Sequence, residues 1–415
     1  MIKMFIISKN HLDIIYNFVD WEFKNISSIG NIINDEVVWN ELPKGVEGVL
    51  CGVDGSRGKV EFCSGIVYGL SSYAIGKNIE KGMFELGVLP FFKEEDRVRR
   101  LMMTLEYRLA TLVSKNVDLI LLDGTLSGAL IMPPLLSGDT NPLTVYPDLA
   151  EDLGWKFIKS LDNFWDEVLE NLDGNIYDNT LLAIKIFQKF DSTYSEYVED
   201  IREELFAANI LNSRLEIACW GVYFEYIELL HSLNRLLEYD CTFIAKNFEN
   251  SIITEKLKEN NINVDILLDA TLLNQIFRGR GYTTLKLEDC YNKKRSRRHI
   301  NKICDVFGDY FKFLEVIREN PFEMIPKTYV RFAESSPILA LEVPRTNKKS
   351  IEEVISLLIP YSKLGYPRYL KDAHNKAKIS KKEFKKQILF MIKYISEKNR
   401  DFSLFFQSGR EVLGE

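Results

Sequence analysis

The sequence predicts an α/β fold in which a mixed β-sheet core is flanked by helices and enlarged by a helical insertion. Three features lead there. Residues 46–54 and 117–122 are short apolar runs of buried-strand type, each ending in Asp-Gly. Glu94–Ser114 has the periodicity of a long helix. Residues 142–239 are mostly helical in pattern, with a turn signal at Asp173-Gly174.

Taken in order, residues 10–40 space Leu12, Ile15, Phe18, Val19 and Phe23 as an amphipathic helical arm would. The run 46–54 then leads into Asp-Gly-Ser-Arg-Gly, a turn-forming composition, and 59–73 is again strand-like, so the pair reads as a hairpin. The helix and the strand 117–122 follow, giving the order strand, strand, helix, strand. Strand character returns at Cys241–Ala245 and at 328–333 and 337–343, the last two joined across Glu334-Ser335-Ser336. A final helix starts near Pro367. The expected organisation is a helical arm at 1–45, a discontinuous core at 46–130 and 241–400, an acidic helical insertion at 131–240 and a tail at 401–415.

At 415 residues the chain exceeds one typical core, and 46% hydrophobic with 27% charged residues is a globular composition rather than a disordered one. Lys3, Lys9, His11, Asp13 and Asp20 interrupt the first 23 residues, so neither a signal peptide nor a membrane span is expected there, and a cytoplasmic protein without membrane association is. The six cysteines, Cys51, Cys63, Cys219, Cys241, Cys290 and Cys304, form no C-x-x-C pair, against a zinc site or a disulfide scaffold.

The net charge of -7 hides a strong segregation. Residues 139–240 carry 7 Lys/Arg against 21 Asp/Glu, whereas 345–400 carry 15 against 5. A second basic patch at 278–298 has 8 Lys/Arg and includes Lys293, Lys294, Arg295, Arg297 and Arg298. Such a run serves either as a solvated loop or as a backbone-reading surface for nucleic acid.

Asp54 and Asp123 each end an apolar strand. Carboxylates at adjacent strand ends can hold Mg²⁺ or Mn²⁺, which activates water and offsets developing charge; Asp-Gly also simply makes turns. Glu106 falls on the buried stripe of its helix with Met102, Leu109 and Val113, where an ionised carboxylate is costly unless paired or metal-bound; reaching solvent past the helix edge is the other reading. His374 shares a face with Leu370 and Ala377, as a core histidine or as an acid, base or phosphate donor would. Glu342, on one strand face with Ile338 and Ala340, either lines the same cleft or ends its strand at the surface.

The ordered set Gly52-Val53-Asp54-Gly55-Ser56, a helical Glu106, Leu121-Leu122-Asp123-Gly124 and Gly365-Tyr366-Pro367 followed by Ala373-His374 resembles the NurA nucleases. The resemblance covers 46–130, 241–250 and 326–380, and the helical middle by position only. It implies a ribonuclease H-like core with Asp54, Glu106 and Asp123 as metal ligands, and Tyr366 and His374 beside the scissile phosphate. Lys246 would contact phosphate; from the charge pattern, Arg368 and the 293–298 cluster are expected on the DNA path. The resemblance further implies an Mn²⁺- or Mg²⁺-dependent deoxyribonuclease using two ions, cutting single strands and resecting duplex ends 5′ to 3′ in double-strand-break repair. Such a protein acts as a homodimer on a hexameric HerA-type ATPase. The chain has no Gly-x-x-x-x-Gly-Lys-Ser/Thr loop, so a motor would be a separate chain. Two rivals stand beside it: a glycosidase using two of the carboxylates, and a non-catalytic DNA-binding or motor-regulating subunit with a vestigial site.

Overall fold

A computed structural model describes residues 12–21, 24, 37–62, 65–90, 92–127, 140–187, 193–211, 213–246, 253, 269–284, 297–319 and 325–398. Ten strands within these residues form one sheet: β1 (Val38–Asn40), β2 (Leu50–Phe62), β3 (Gly65–Gly76), β4 (Ile79–Leu89), β5 (Leu119–Asp123), β6 (Ile176–Asp178), β7 (Cys241–Ala245), β8 (Gly281–Thr284), β9 (Lys327–Arg331) and β10 (Leu339–Glu342). Their spatial order is β1-β8-β9-β10-β7-β5-β2-β3-β4-β6. The centre is β4-β3-β2-β5-β7. There β2, β3 and β4 run antiparallel in succession, and β5 and then β7 are added parallel to β2.

Helices cover both faces. On one lie α1 (Glu94–Ser114), α2 (Pro147–Glu167) and α3 (Arg214–Leu236); on the other lie α4 (Ile351–Leu358), α5 (Arg368–Ala377) and α6 (Lys381–Lys398). Strand alternation sorts the residues between them. Cys51, Val53, Ile120, Leu122 and Phe243 join the large core under α1, whereas Leu50, Leu119, Leu121 and Ile244 pack toward α4 and Leu370.

Three expectations need correction. Asp-Gly-Ser-Arg-Gly is not a turn but the middle of the 13-residue β2, which passes straight through Asp54. A further strand, β4, intervenes before α1, so the order is strand, strand, strand, helix, strand. The N-terminal helix is described at 12–21, and by Val38 the chain is strand, paired with β8, rather than helical arm. The hairpin of β9 and β10 falls where expected. The described cysteines are buried and unpaired, and among the described residues no helix is long and apolar enough to cross a membrane.

α1 is buried on nearly every side because α3 lies against the side turned from the sheet. Its arginines therefore meet carboxylates instead of water: Arg97 pairs with Glu225, and Arg108 with Glu228 at 2.8 Å, all four side chains under 5% exposed. Glu228 also accepts from the Leu182 and Ala183 N–H groups at 2.9 Å each, which ties the segment after β6 to α3. Removing one partner of such a pair strands the other charge in the interior.

Glu85 on β4 is less well compensated. It is 5% exposed and accepts one N–H, from Leu181 at 3.3 Å. Burial, offset only in part by the Lys185 charge and the Leu181 N–H, pushes its carboxyl up to about 8. An acid with a raised folded pKa favours the fold fully below its unfolded value of about 4.5, and that contribution fades as pH rises through about 8. Glu85→Gln, permanently neutral, should melt several degrees above wild type at pH 8.5, with the gap closing toward pH 5; a gap independent of pH in thermal unfolding would refute this.

Candidate active site

The small residues of β2 make room for helices on both faces. A Cβ on Gly52 would lie 2.4 Å from the Leu370 N, so only glycine lets α5 approach there. A Cβ on Gly55 would lie 2.4 Å from Glu106 Oε1 on the opposite face, under α1. Ser71 donates to the Ala377 carbonyl, and Ser56 Oγ accepts the Ile379 N–H at 3.0 Å, which fastens the far end of α5. The alternation Gly52, Asp54, Ser56, Gly58 is thus the track on which α5 and the start of α6 rest.

Asp54 and Asp123 belong to the same face. Val53 pairs with Leu122 in the parallel ladder, and one step further the two aspartates stand side by side. His374, from α5, completes a compact set: one ligand atom from each of Asp54, Asp123 and His374 lies within 4.8 Å of the others. Every carboxylate oxygen has a protein donor. Asp54 Oδ1 accepts the Gly55 N–H at 2.8 Å, and Asp54 Oδ2 lies 2.6 Å from His374 Nδ1. Asp123 Oδ1 accepts the Tyr366 hydroxyl at 3.1 Å, and Asp123 Oδ2 accepts Lys246 Nζ at 3.1 Å. The Lys246 ammonium also stands 4.5 Å from the centre of the Tyr366 ring.

The electrostatics are those of a site short of positive charge. Burial and the neighbouring Asp123 raise the Asp54 carboxyl, against the opposing pull of His374. Glu106, 7% exposed, is held well above the ordinary carboxylate range by burial first and then by Asp54 and Asp123. Burial and Asp123 likewise raise Tyr366, so its hydroxyl stays protonated and acts as a donor. Two carboxylates and an imidazole are a donor set suited to Mn²⁺, Mg²⁺ and similar ions, and a cation would relieve the crowding of like charges.

The expected residues are therefore distributed as follows. Asp54, Asp123, Tyr366, His374 and Lys246 converge. Glu106 approaches beneath Gly55 from the other face and is not one of the three compact donors. Arg368 opens α5 with an exposed side chain 3.4 Å from Asp372. Lys293, Lys294 and Arg295 lie outside the described residues, as do the side chains of Arg297 and Arg298, whose backbone begins the helix Arg297–Phe307. Glu342 is wholly buried, 2.7 Å from Lys327 Nζ, and accepts the N–H of Ser127 at 2.9 Å and its hydroxyl. It braces the segment after Asp123 rather than ending its strand at the surface. Lys327 and Ser127 were not foreseen; a lysine opening an apolar strand was the available signal.

The NurA domain model matches residues 48–379. The DNA double-strand break repair nuclease NurA of Pyrococcus furiosus is 24% identical across 99% of this chain and its own full length. A crystal structure of NurA matches with a TM-score of 0.73 at 23% identity, over 97% of this chain and all of that one. A crystal structure of NurA bound to dAMP and manganese matches at 0.69 and 24% identity, over 90% and 94%. These structural likenesses show a shared fold, a large mixed sheet flanked by helices.

Glu106 yields a stability test. Without metal its charge is disfavoured above the ordinary carboxylate range, so Glu106→Gln should raise the melting temperature in EDTA at pH 8 and lose the advantage near pH 4. A lowered midpoint in EDTA at pH 8 would show that the charge is fully compensated by its surroundings.

Proposed function

Since the NurA domain model spans most of its length, the chain belongs to the NurA family, and on that premise we propose that it is a metal-dependent deoxyribonuclease. The observation that carries the reading is the convergence of Asp54, Asp123 and His374 within 4.8 Å at a sheet seam. The order β4-β3-β2-β5-β7, with β3 alone reversed, supports a ribonuclease H-like core. On this reading residues 46–130 and 241–400 form the nuclease core and 131–240 the helical insertion.

Asp54 and Asp123 would hold the ion or ions, with Glu106 the third carboxylate. A divalent cation, when bound, lowers the pKa of water and neutralises charge on the reacting phosphate. The chain's own groups do the rest. Half-exposed His374 is placed to donate to a phosphate oxygen, and Tyr366, kept protonated, holds Asp123 in orientation. The basic clusters at 293–298 and 345–400, including Arg368, would draw DNA in by its backbone with no base readout. The manganese-bound NurA structure and the repair nuclease of P. furiosus support Mn²⁺ and a role in processing broken DNA ends. We extend this to single-strand cutting and 5′ to 3′ resection by a cytoplasmic homodimer on a HerA-type hexameric motor.

Labelled linear DNA incubated with Mn²⁺, Mg²⁺ or EDTA tests the reading. Cleavage with metal, none with EDTA, and loss to background in folded Asp54→Ala and Asp123→Ala are expected. Full activity in both variants would sink it, and metal-independent inactivity with intact DNA binding would favour a vestigial site.

A further inference from the structure

We propose that Lys246 is a displaceable counter-ion, occupying Asp123 while the site is metal-free and moving to the DNA backbone when a divalent cation takes its place. The inference rests on the metal-site reading above. It follows from where the ammonium sits. Lys246 comes directly after β7, two residues beyond Ile244, so it is on the same sheet face as Asp123, with which Ile244 pairs. Its Nζ takes Asp123 Oδ2 at 3.1 Å, while Tyr366 takes Oδ1. Asp123 thus has both oxygens engaged, and one of these two partners is an ammonium, which would compete with any cation held by the carboxylate.

The two partners are not equally replaceable. The Tyr366 ring is neutral and largely buried, and the hydroxyl can keep its bond while an ion uses another lone pair of the carboxylate. An ammonium beside a divalent cation is repelled. Lys246 can yield, being 38% exposed on a flexible stem and, besides its bond to Asp123, held among the described residues by a cation–π contact. Among the described residues Asp54 has no lysine or arginine partner. It leans on the Gly55 N–H and on His374, so the exchange is confined to Asp123. In the metal-free protein the Lys246 ammonium offsets the negative charge of Asp123, the carboxylate beside Asp54. Once released, it becomes a cation available to the negatively charged strand, so metal loading and phosphate grip are coupled through one side chain.

The test reads metal and DNA binding, not turnover. Mn²⁺ affinity is measured by calorimetry for the wild type, Lys246→Met and Lys246→Arg. Lys246→Met should bind Mn²⁺ about tenfold more tightly, the size expected of one unit charge a few ångströms away in a partly solvated site, and Lys246→Arg should stay near wild type. Affinity for a cleavage-resistant phosphorothioate oligonucleotide is then measured with Mn²⁺ and with EDTA. Lys246→Met should weaken binding several-fold with Mn²⁺, reduce the salt slope by about 1, and change little in EDTA, where the ammonium is already engaged. Mn²⁺ binding unchanged or weakened in Lys246→Met overturns the proposal, as does a DNA defect equal in Mn²⁺ and EDTA. A wild type that binds no Mn²⁺ overturns the metal-site reading itself, which separates the two failures.

Discussion

Close helix packing on both faces of β2 is the constraint from which the rest of the site follows. With no side chain at Gly52, α5 settles against the strand; with none at Gly55, Glu106 of α1 reaches the same strand from beneath. Between these two positions stands Asp54. The strand is therefore a partition only one backbone thick, with carboxylates approaching it from both sides. That thinness lets Glu106 feel the charges of Asp54 and Asp123 although it belongs to the opposite layer. A bulkier residue at either glycine would separate the layers and dissolve the electrostatic grouping along with the packing.

How much of this the sequence disclosed depends on whether the signal was local. α1 was legible to its ends, because its acidic first turn of Glu94, Glu95 and Asp96 and its long periodicity are properties of the segment itself. β5 and β7 were legible as short apolar runs. β2 was misread because Asp-Gly-Ser-Arg-Gly carries the composition of a turn, and the reason for small residues there is a helix more than three hundred residues away. β4 was missed for a similar reason. Glu80, Lys81, Gly82, Glu85 and Gly87 spoil its alternation, and Glu85 is inside only because the segment around Leu181 and Lys185 closes over it. The convergence of Asp54, Asp123, Tyr366 and His374 could be proposed from the ordered motifs, but the pairing of each aspartate with its own donor is a matter of register and of helix placement.

Charge segregation also changes meaning once the chain is folded. Most of the described carboxylates of the acidic block at 139–240 are exposed, but a few are turned inward. Glu225 and Glu228 neutralise arginines of α1, and Asp162 accepts from His231, Arg235 and Tyr310 at 2.7–3.1 Å between α2, α3 and Tyr310. Burial opposes ionisation of Asp162, but those bonds and charges outweigh it and hold the carboxyl at about 2. Those two glutamates are the internal counterpart of basic residues on α1, while the rest of the excess acid stays largely at the surface. The basic residues of α5 are deployed differently: Arg368 and Lys376 are exposed, 3.4 Å from Asp372 and 2.8 Å from Glu80.

The spacing of Tyr366 and His374 then acquires a geometric reason. Eight residues along a helix span about 12 Å, too far for two side chains to meet at one atom if both point the same way. They need not meet there. Tyr366 precedes the first turn of α5 and extends its long ring to Asp123, while His374, two turns on, drops its short ring to Asp54. Neighbouring strands are about 5 Å apart, so the aspartates themselves close part of the distance, and the reach of the phenol closes the remainder. One helix thus holds two carboxylates on two strands through two unlike donors. Any sliding of α5 along β2 would loosen both bonds together, and the Gly52 contact with the backbone of Tyr369 and Leu370, together with the Ser56 and Ser71 bonds at its far end, is what prevents that sliding.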